Sequence, residues 1–585
     1  MSAEEPPPDL KGKLRALPNA VGEYLHSIPD DHPLQIALRT YALSISLSLG
    51  PALVPFMTSP KARRDGWTRL KRILGRELGA TGFAFAMTAG VGGGAFLKEV
   101  FDVLVLEGEC PRLADDRSVH GSLRAKVIGW LALLKESHRT FLANALSSAL
   151  AITLFHRRRR SPVSTGPGTT LPLTPPLYGS SPTKPSLFAG RPSITLDLTL
   201  LLLVRAMDAL SQITIQKGCE VLEKNGGVDG QEAAQKRRHL LSMRLDALVF
   251  WASSARIMWC FFYQPERLPR SYNKWIMTVA NIDPRILAAL RLLRTGDWSY
   301  RRHHSAQPDL VSSLSRDLGY PAAWGDVTRL PPYGGPEATA VWREMGVKGR
   351  DGIGGIPCEL VHANASGGSC SKNVSLRGSQ AFVSALAIYL PVHILPILLT
   401  RPRTLLRLSK LVPILLAVLR SATFLSTFVS CIWAAVCLTR TVLLARLFPW
   451  ISHDVWDGHF GCTFAGSLVC GGSIWIEQGR RRGEIALYVL PRAIRACLPE
   501  RWVRSGAKGV QWGERLAFVL SLSTILTAAV HRPDSLRGLS RWTLAFIMKG
   551  PNAGFWRRKR RGESVPPTPI ETGPNTDTHS KPYVL

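Results

Sequence analysis

Two stretches in the second half of the chain decide its class of fold: Gln380–Thr400, QAFVSALAIYLPVHILPILLT, and Ser421–Thr439, SATFLSTFVSCIWAAVCLT. Neither carries an Asp, Glu, Lys or Arg. At about 1.5 Å of rise per residue, a helix of about 20 such residues crosses the hydrocarbon core of a bilayer. Both stretches read as membrane spans. Working outward, the 585 residues have a mean hydropathy of +0.05 although 20% of them are charged, so charge and apolar length are segregated. That pattern excludes an ordinary cytosolic enzyme, and the apolar surface excludes a mainly disordered chain.

Eight further apolar segments join these two. The first five are Tyr41–Met57, Leu78–Leu97, Phe141–Phe155, Leu196–Val204 and Ala247–Tyr263. Gln380–Thr400 and Ser421–Thr439 open a second five, completed by Phe460–Ile476, Ile485–Leu498 and Leu516–Val530. The fourth of each set is short and has charge in or beside it, Asp197 and Arg205 in one and Arg492 and Arg495 in the other. The organisation expected is a polar N-terminal segment (1–33), a first membrane repeat (34–280), an extramembrane connecting region (281–376), a second repeat (377–546) and a basic tail (547–585). Residues 161–193, rich in Ser, Thr, Pro and Gly, read as a disordered loop inside the first repeat. The N-terminus, MSAEEPPPDLKGKL, resembles no targeting peptide and the C-terminus, KPYVL, no retrieval signal, so insertion is expected to rest on internal spans.

The two sets look like copies. Thr58-Ser59-Pro60 against Thr400-Arg401-Pro402 and Leu97-Lys98 against Thr439-Arg440 share one offset of 342 residues. Thr140-Phe141 against Thr463-Phe464 and Arg157-Arg158-Arg159 against Arg480-Arg481-Arg482 share an offset of 323. After the fifth segments come Pro265-Glu266-Arg267-Leu268 and Pro533-Asp534-Ser535-Leu536. Five matches in one order point to two tandem repeats, with length changes confined to loops. The expected fold is therefore all-α: a polytopic helical membrane protein built from two repeats of about five apolar segments. In such bodies binding paths often lie at the repeat interface. Basic turns recur after the first and third segments of each set, which favours one side for both repeats and eight crossings, the charged fourth segments staying out.

Small residues mark expected helix contacts, because close backbone approach drives packing where lipid does not. Gly82, Ala86, Gly90 and Gly94 recur every four residues; Ala143, Ser147 and Ala151 form a second stripe, and Cys462, Gly466 and Cys470 a third. Leu at Gly90 or Gly94 should disrupt the fold, and Phe83→Leu should be mild. Gly90-Val91-Gly92-Gly93-Gly94-Ala95 fits a dinucleotide pattern, but it ends an apolar stretch where the motif needs a strand-to-helix turn. No H-E-x-x-H, G-x-S-x-G or Walker A pattern occurs, and nothing nominates a nucleophile with its base, so no catalytic residue and no cofactor are expected. Ionisable residues in or at spans are few: Arg39, Asp246, Arg256 and His393. Arg256 is mid-segment and is the best candidate for a buried partner or ligand contact.

The formal charge is +31. Basic residues flank the apolar segments, so anionic headgroups are the expected partners, and no nucleic-acid fold is signalled. Ten cysteines include no C-x-x-C pair. Cys358, His362 and Cys370 sit together before the second repeat. Free structural cysteines, a Cys358–Cys370 disulfide or a share in a zinc site are all open readings.

The stretch from Cys358 to about Leu498 resembles the transmembrane protein 135 family. The residues that carry the likeness are PCELVHANASGGSC, ALAIYLPVHILPILLTRP, LRSATFLSTFVSCIWAAV and EQGRRRGEIALYVLPRAIRA, with PDSLRGLSRWTLAFI near the end. The Gly-rich stretch followed by a basic turn is also similar to the mitochondrial inner-membrane translocase family. The resemblance implies a multi-pass protein of mitochondria, peroxisomes or both, active in organelle dynamics and lipid handling, with no established catalytic residues. Its Cys–His–Cys cluster corresponds here to Cys358, His362 and Cys370. A transporter or translocase-like pore for a lipid or solute is the alternative function, and a membrane-embedded lipid enzyme a third.

Overall fold

A computed structural model of the chain describes residues 28–58, 82–109, 123–157, 195–224, 227–363, 366–400, 407–499 and 508–550, with a few positions between them. The loop 161–193, most of the N-terminal segment and the basic tail lie outside the described residues. Helices α1 (Pro33–Thr58), α2 (Phe83–Glu109), α3 (Leu123–Leu133), α4 (Glu136–Arg157), α5 (Leu196–Lys224), α6 (Gly227–Tyr263) and α7 (Arg270–Ala280) make up the first half. The connecting region holds α8 (Pro284–Thr295), α9 (Asp309–Asp317), α10 (Pro336–Glu344) and α11 (Cys358–Val361). The second half holds α12 (Cys370–Thr400), α13 (Leu408–Cys437), α14 (Leu444–Leu447), α15 (His453–Trp456), α16 (Cys462–Cys470), α17 (Gly479–Cys497), α18 (Lys508–His531) and α19 (Gly538–Lys549). The only strands among the described residues pair Trp298 with Ser305 and Ser299 with His304.

Four helical stretches among the described residues are long and apolar enough to cross a membrane: Leu196–Gly218, Lys236–Tyr263, Leu408–Leu447 and Gly509–His531. The first corrects an expectation. The fourth segment of the first set does not end at Val204, because the helix runs on through Asp208. That carboxylate is buried against Arg537, which also pairs with Asp246 at 2.8 Å, so the charge is matched inside the fold. Length therefore no longer separates this segment from the spans, and the eight-crossing count loses its main support in the first half. Large apolar side chains such as Phe96, Leu106, Val383 and Leu416 point outward, as a lipid-facing surface requires.

The long helices pack in two rows. One runs α1, α2, α4, α18, α5, and the other runs α12, α13, α16, α6, α17. Each row takes its fourth member from the other half of the chain. The rows meet where α5 touches α6 and α17. The short helix after the fifth segment also crosses over: α7 packs on α12, and α19 packs on α1.

The connecting region has its own core of Trp298, Tyr300, Val311, Leu330, Trp342 and Leu360. Helix α8 is stopped at both ends by local chemistry. The Asp283 carboxylate accepts from the Arg285 N–H at 2.8 Å, Pro284 takes the first turn, and Gly296 closes it at φ 85°. The region docks on the turn after α13. Asp454 accepts from the Tyr300 N–H at 2.8 Å and the Ser299 hydroxyl at 3.0 Å. Asp457 takes the Arg440 guanidinium at 2.5 Å and the Tyr300 hydroxyl at 2.8 Å, all three side chains being buried. Burial alone would raise the Asp457 carboxyl, but the charges of Arg440 and His453 hold it below the usual carboxylate range.

Candidate functional site: an apolar cavity between the two halves

A cavity of about 700 Å³ lies where α5, α6 and α7 of the first half meet α12, α13 and α17 of the second. Helical periodicity lines it. Helix α6 contributes Phe250, then Ser254 one turn on, then Ile257 and Met258 a turn further, and α13 contributes Phe424, Phe428 and Ile432 at four-residue spacing. Helix α7 adds Tyr272, Trp275, Ile276 and Val279. The Phe250 ring stands edge-on to Phe424 at 5.6 Å and to Phe428 at 6.4 Å, so the wall is set by aromatic packing.

Polar groups gather on the α5–α17 side. Asp197, Glu484, Tyr488 and Arg492 all reach the cavity. The charges that made both fourth segments look unfit as spans answer one another across the two halves. Asp197 pairs with Arg495, and Arg205 stands 3.8 Å from Glu484. Arg492 makes no ion pair among the described residues. Its guanidinium carbon lies 4.0 Å from the Tyr488 ring centre and 5.6 Å from that of Tyr272. Burial pushes the Tyr272 phenol up to about 12, so it remains a hydrogen-bond donor at neutral pH. The cavity can therefore take an apolar chain along α6 and α13 and an anionic head beside Arg492.

None of the site residues expected from the sequence lines this cavity. The small residues go to packing contacts. A side-chain carbon added at Gly90 would stand 3.1 Å from the Ala151 methyl, and one at Gly94 would meet Asn144 and Ser147. The Ser147 hydroxyl donates to the Gly90 carbonyl at 2.8 Å, fixing α4 against α2. Ala86 and Ala143 are buried, and Gly82 sits at the start of α2, accepting from the Ala86 N–H at 3.2 Å. Cys462 and Cys470 are buried, and Gly466 lies against the Ile432 backbone of α13. Phe83, expected to tolerate change, is itself buried, with its ring 5.9 Å from Phe155.

Arg256 caps a helix. Its guanidinium donates to the Ala496 carbonyl at 2.9 Å, and Arg267 donates to the same carbonyl at 3.1 Å, so two cations close the C-terminus of α17. Arg39 pairs with Asp30, and His393 bonds back to the Tyr389 carbonyl at 2.8 Å. Cys358, His362 and Cys370 do come together, with their ligand atoms within 4.8 Å of one another, and all three are outside the cavity. Both cysteines are free thiols. A hydrogen bond with Cys370, together with burial, pushes the Cys358 thiol up to about 12.

Of the cavity residues, sequence reasoning had singled out Asp197 and Arg492, and those only as charges unfit for a span. The other signal available was the run of aromatics at helical spacing, Phe424 and Phe428, inside a stretch already read as a span.

Apolar helices of spanning length, outward apolar faces and charges matched internally define an integral membrane protein. A family model described as the N-terminal cysteine-rich region of Transmembrane protein 135 matches residues 358–497. Over that stretch the chain is similar to the transmembrane protein 135 family, as the sequence resemblance had it. No curated protein and no solved structure matches the chain.

Proposed function

We propose that the chain is a non-enzymatic lipid-handling protein, which holds an anionic single-chain lipid in the cavity between its halves. The observation that carries this reading is the cavity itself: aromatic and aliphatic along α6 and α13, with Arg492, a cation in no ion pair among the described residues, at one side. The family resemblance adds an organelle membrane, of mitochondria or peroxisomes, and a role in organelle dynamics. Anionic headgroups at the basic turns are the second lipid partner in this reading.

The body is, in the same proposal, a tandem duplication. Its support is the matching order of the two rows, with the fifth long helix of each half exchanged between them. Two short 3-10 turns add to it. Gln264 and Arg532 precede them at φ −141° in both cases, and the Leu268 and Leu536 N–H groups close them on Pro265 and Pro533. The cavity then lies at the interface between copies, where a carrier would hold its cargo. That position favours transport of the bound lipid as the second reading.

Binding is tested on full-length protein in detergent with a fluorescent fatty acid. Saturable binding, displaced by a fatty acid better than by the matching fatty alcohol, is expected. Non-saturable uptake, or equal displacement by the alcohol, would overturn the proposal. Fractionation of a tagged chain and lipid profiling of a deletion strain test the organelle, and lipid movement across reconstituted vesicles tests carriage.

A further inference from the structure

We infer that Cys358, His362 and Cys370 are ligands of a structural zinc ion, with Cys437 as the fourth donor. The local sequence builds the cluster. Pro357 starts the single-turn helix α11, so Cys358 and His362, four residues apart, fall on one face. The chain then reverses through Ala363 at φ 51° and Gly367 at φ 57°, and returns Cys370 as the first residue of α12. The three ligand atoms lie within 4.8 Å of one another. A tetrahedral zinc with Zn–S of about 2.3 Å and Zn–N of about 2.0 Å holds its ligands about 3.5 Å apart, so closing the site takes shifts of about 1 Å or less.

Independent features around the cluster fit a metal. His362 Nδ1 is 3.0 Å from the Gly367 carbonyl, which fixes the proton on Nδ1 and leaves Nε2 as the ligand atom. The Cys437 sulfur, at the end of α13, lies 3.7 Å from that Nε2. His362 is 1% exposed and Cys358 4%, with Cys370 half-buried beside them. The Arg350 guanidinium, buried at 2% exposure, stands 3.3 Å from the Cys358 sulfur and balances the negative charge that three thiolates leave on a divalent ion. A second arginine, Arg377, donates to the His362 carbonyl at 3.1 Å. With Cys437 drawn in, four protein donors would close the site, so the ion is structural. It would tie the connecting region, through α11, to α12 and α13.

The test is elemental analysis of full-length protein purified in detergent and washed free of loosely held metal. About one zinc per chain is expected. Cys358→Ser and Cys370→Ser should lose it, Cys437→Ser should weaken retention, and Cys497→Ser, at the exposed end of α17, should keep it. Exchange with cobalt alone should produce the intense absorption of thiolate-bound tetrahedral cobalt. If the serine variants fail to fold, the wild-type chain still decides. A chelator should then raise the number of reactive thiols, whereas full thiol reactivity without chelator would overturn the inference. So would metal-free protein that gives no cobalt spectrum, or a Cys358–Cys370 disulfide found by mass spectrometry.

Discussion

On the proposed duplication, the same face of one helix is treated in opposite ways in the two halves. At the offset of 342 residues that aligns the first and second segments, Gly82, Ala86, Gly90 and Gly94 of the first half correspond to Phe424, Phe428, Ile432 and Val436 of the second. In α2 the small residues let α4 approach until Gly90 and Ala151 touch, and the face closes. In α13 three of the four bulky residues line the cavity. The neighbour from the exchanged helix reverses in step. Gly90 faces Leu522 of α18, and the residue corresponding to Leu522 by the match of Pro265 with Pro533 is Ser254 of α6, a cavity residue. Large against small fills one row. In the other, aromatics braced on one another leave room beside a small serine. On the proposed duplication, one copy has kept the packing role and the other has opened a site.

The comparison breaks first at its closed side. Gly94→Leu should have the largest effect, because an added side-chain carbon would run into Asn144 Oδ1. A cost of about 3 kcal/mol is expected, with Gly90→Leu somewhat less severe. Abundance and melting in detergent check it, with Phe96→Leu, on the outward face, as the mild control. Normal melting of both glycine variants would mean that the stripe faces lipid.

The open side is sharpened by copying the closed one. Ser254→Leu restores at α6 the residue found at Leu522 and should fill the cavity. Fatty-acid binding should fall by about tenfold or more, with melting unchanged or slightly raised. Unchanged binding would place the ligand elsewhere. Arg492→Ala should act more gently, lowering affinity for a fatty acid by about fivefold while leaving that for a fatty alcohol alone. A loss shared equally by both ligands would show that Arg492 supports the wall rather than the charge.

The closed side was expected from the sequence, because small residues every four positions, Gly82, Ala86, Gly90 and Gly94, favour close helix packing in an apolar helix. The helices themselves were legible for the same reason, as uncharged length needs burial or lipid. The cavity was not. It depends on α6, α13 and α17 meeting across the two halves, and no spacing within one segment reports that. The charges of the fourth segments misled for a related reason. Asp197 and Arg495 are 298 residues apart in sequence and Arg205 and Glu484 are 279, and each reads as an unpaired charge until the fold joins them.

The smallest expected effect separates the helical body from the docked connecting region. The packed centre of the α2–α4 contact, Gly90, Gly94, Ser147 and Ala151, is built of residues that do not titrate, and the ion pairs between these helices, Lys98 with Glu136 and Arg139 with Asp102, stand outside it, so pH should act on that centre least. The docking contact differs. His453 is buried beside Asp457, with Arg440, Arg350 and the Tyr300 ring around it. Burial pushes its imidazole below the ordinary value, against the pull of Asp457 and with the push of the two arginines. A histidine depressed in the folded state binds its proton more readily once released. Its contribution to docking is therefore complete above the ordinary value of about 6.5 and is lost as pH falls towards the folded one. Asp457, also depressed, adds its own loss only at more acid pH, below about 4. Lowering the pH from 7 to 5 should thus loosen the connecting region first, before the helices. Limited proteolysis within 281–376, or tryptophan emission from buried Trp298 and Trp342, reads this directly, and a change in cleavage rate of less than about tenfold is expected. His453→Gln, which keeps a neutral polar group at the site, should flatten the change between pH 7 and 5. An unaltered pH profile in that variant would assign the sensitivity to another group.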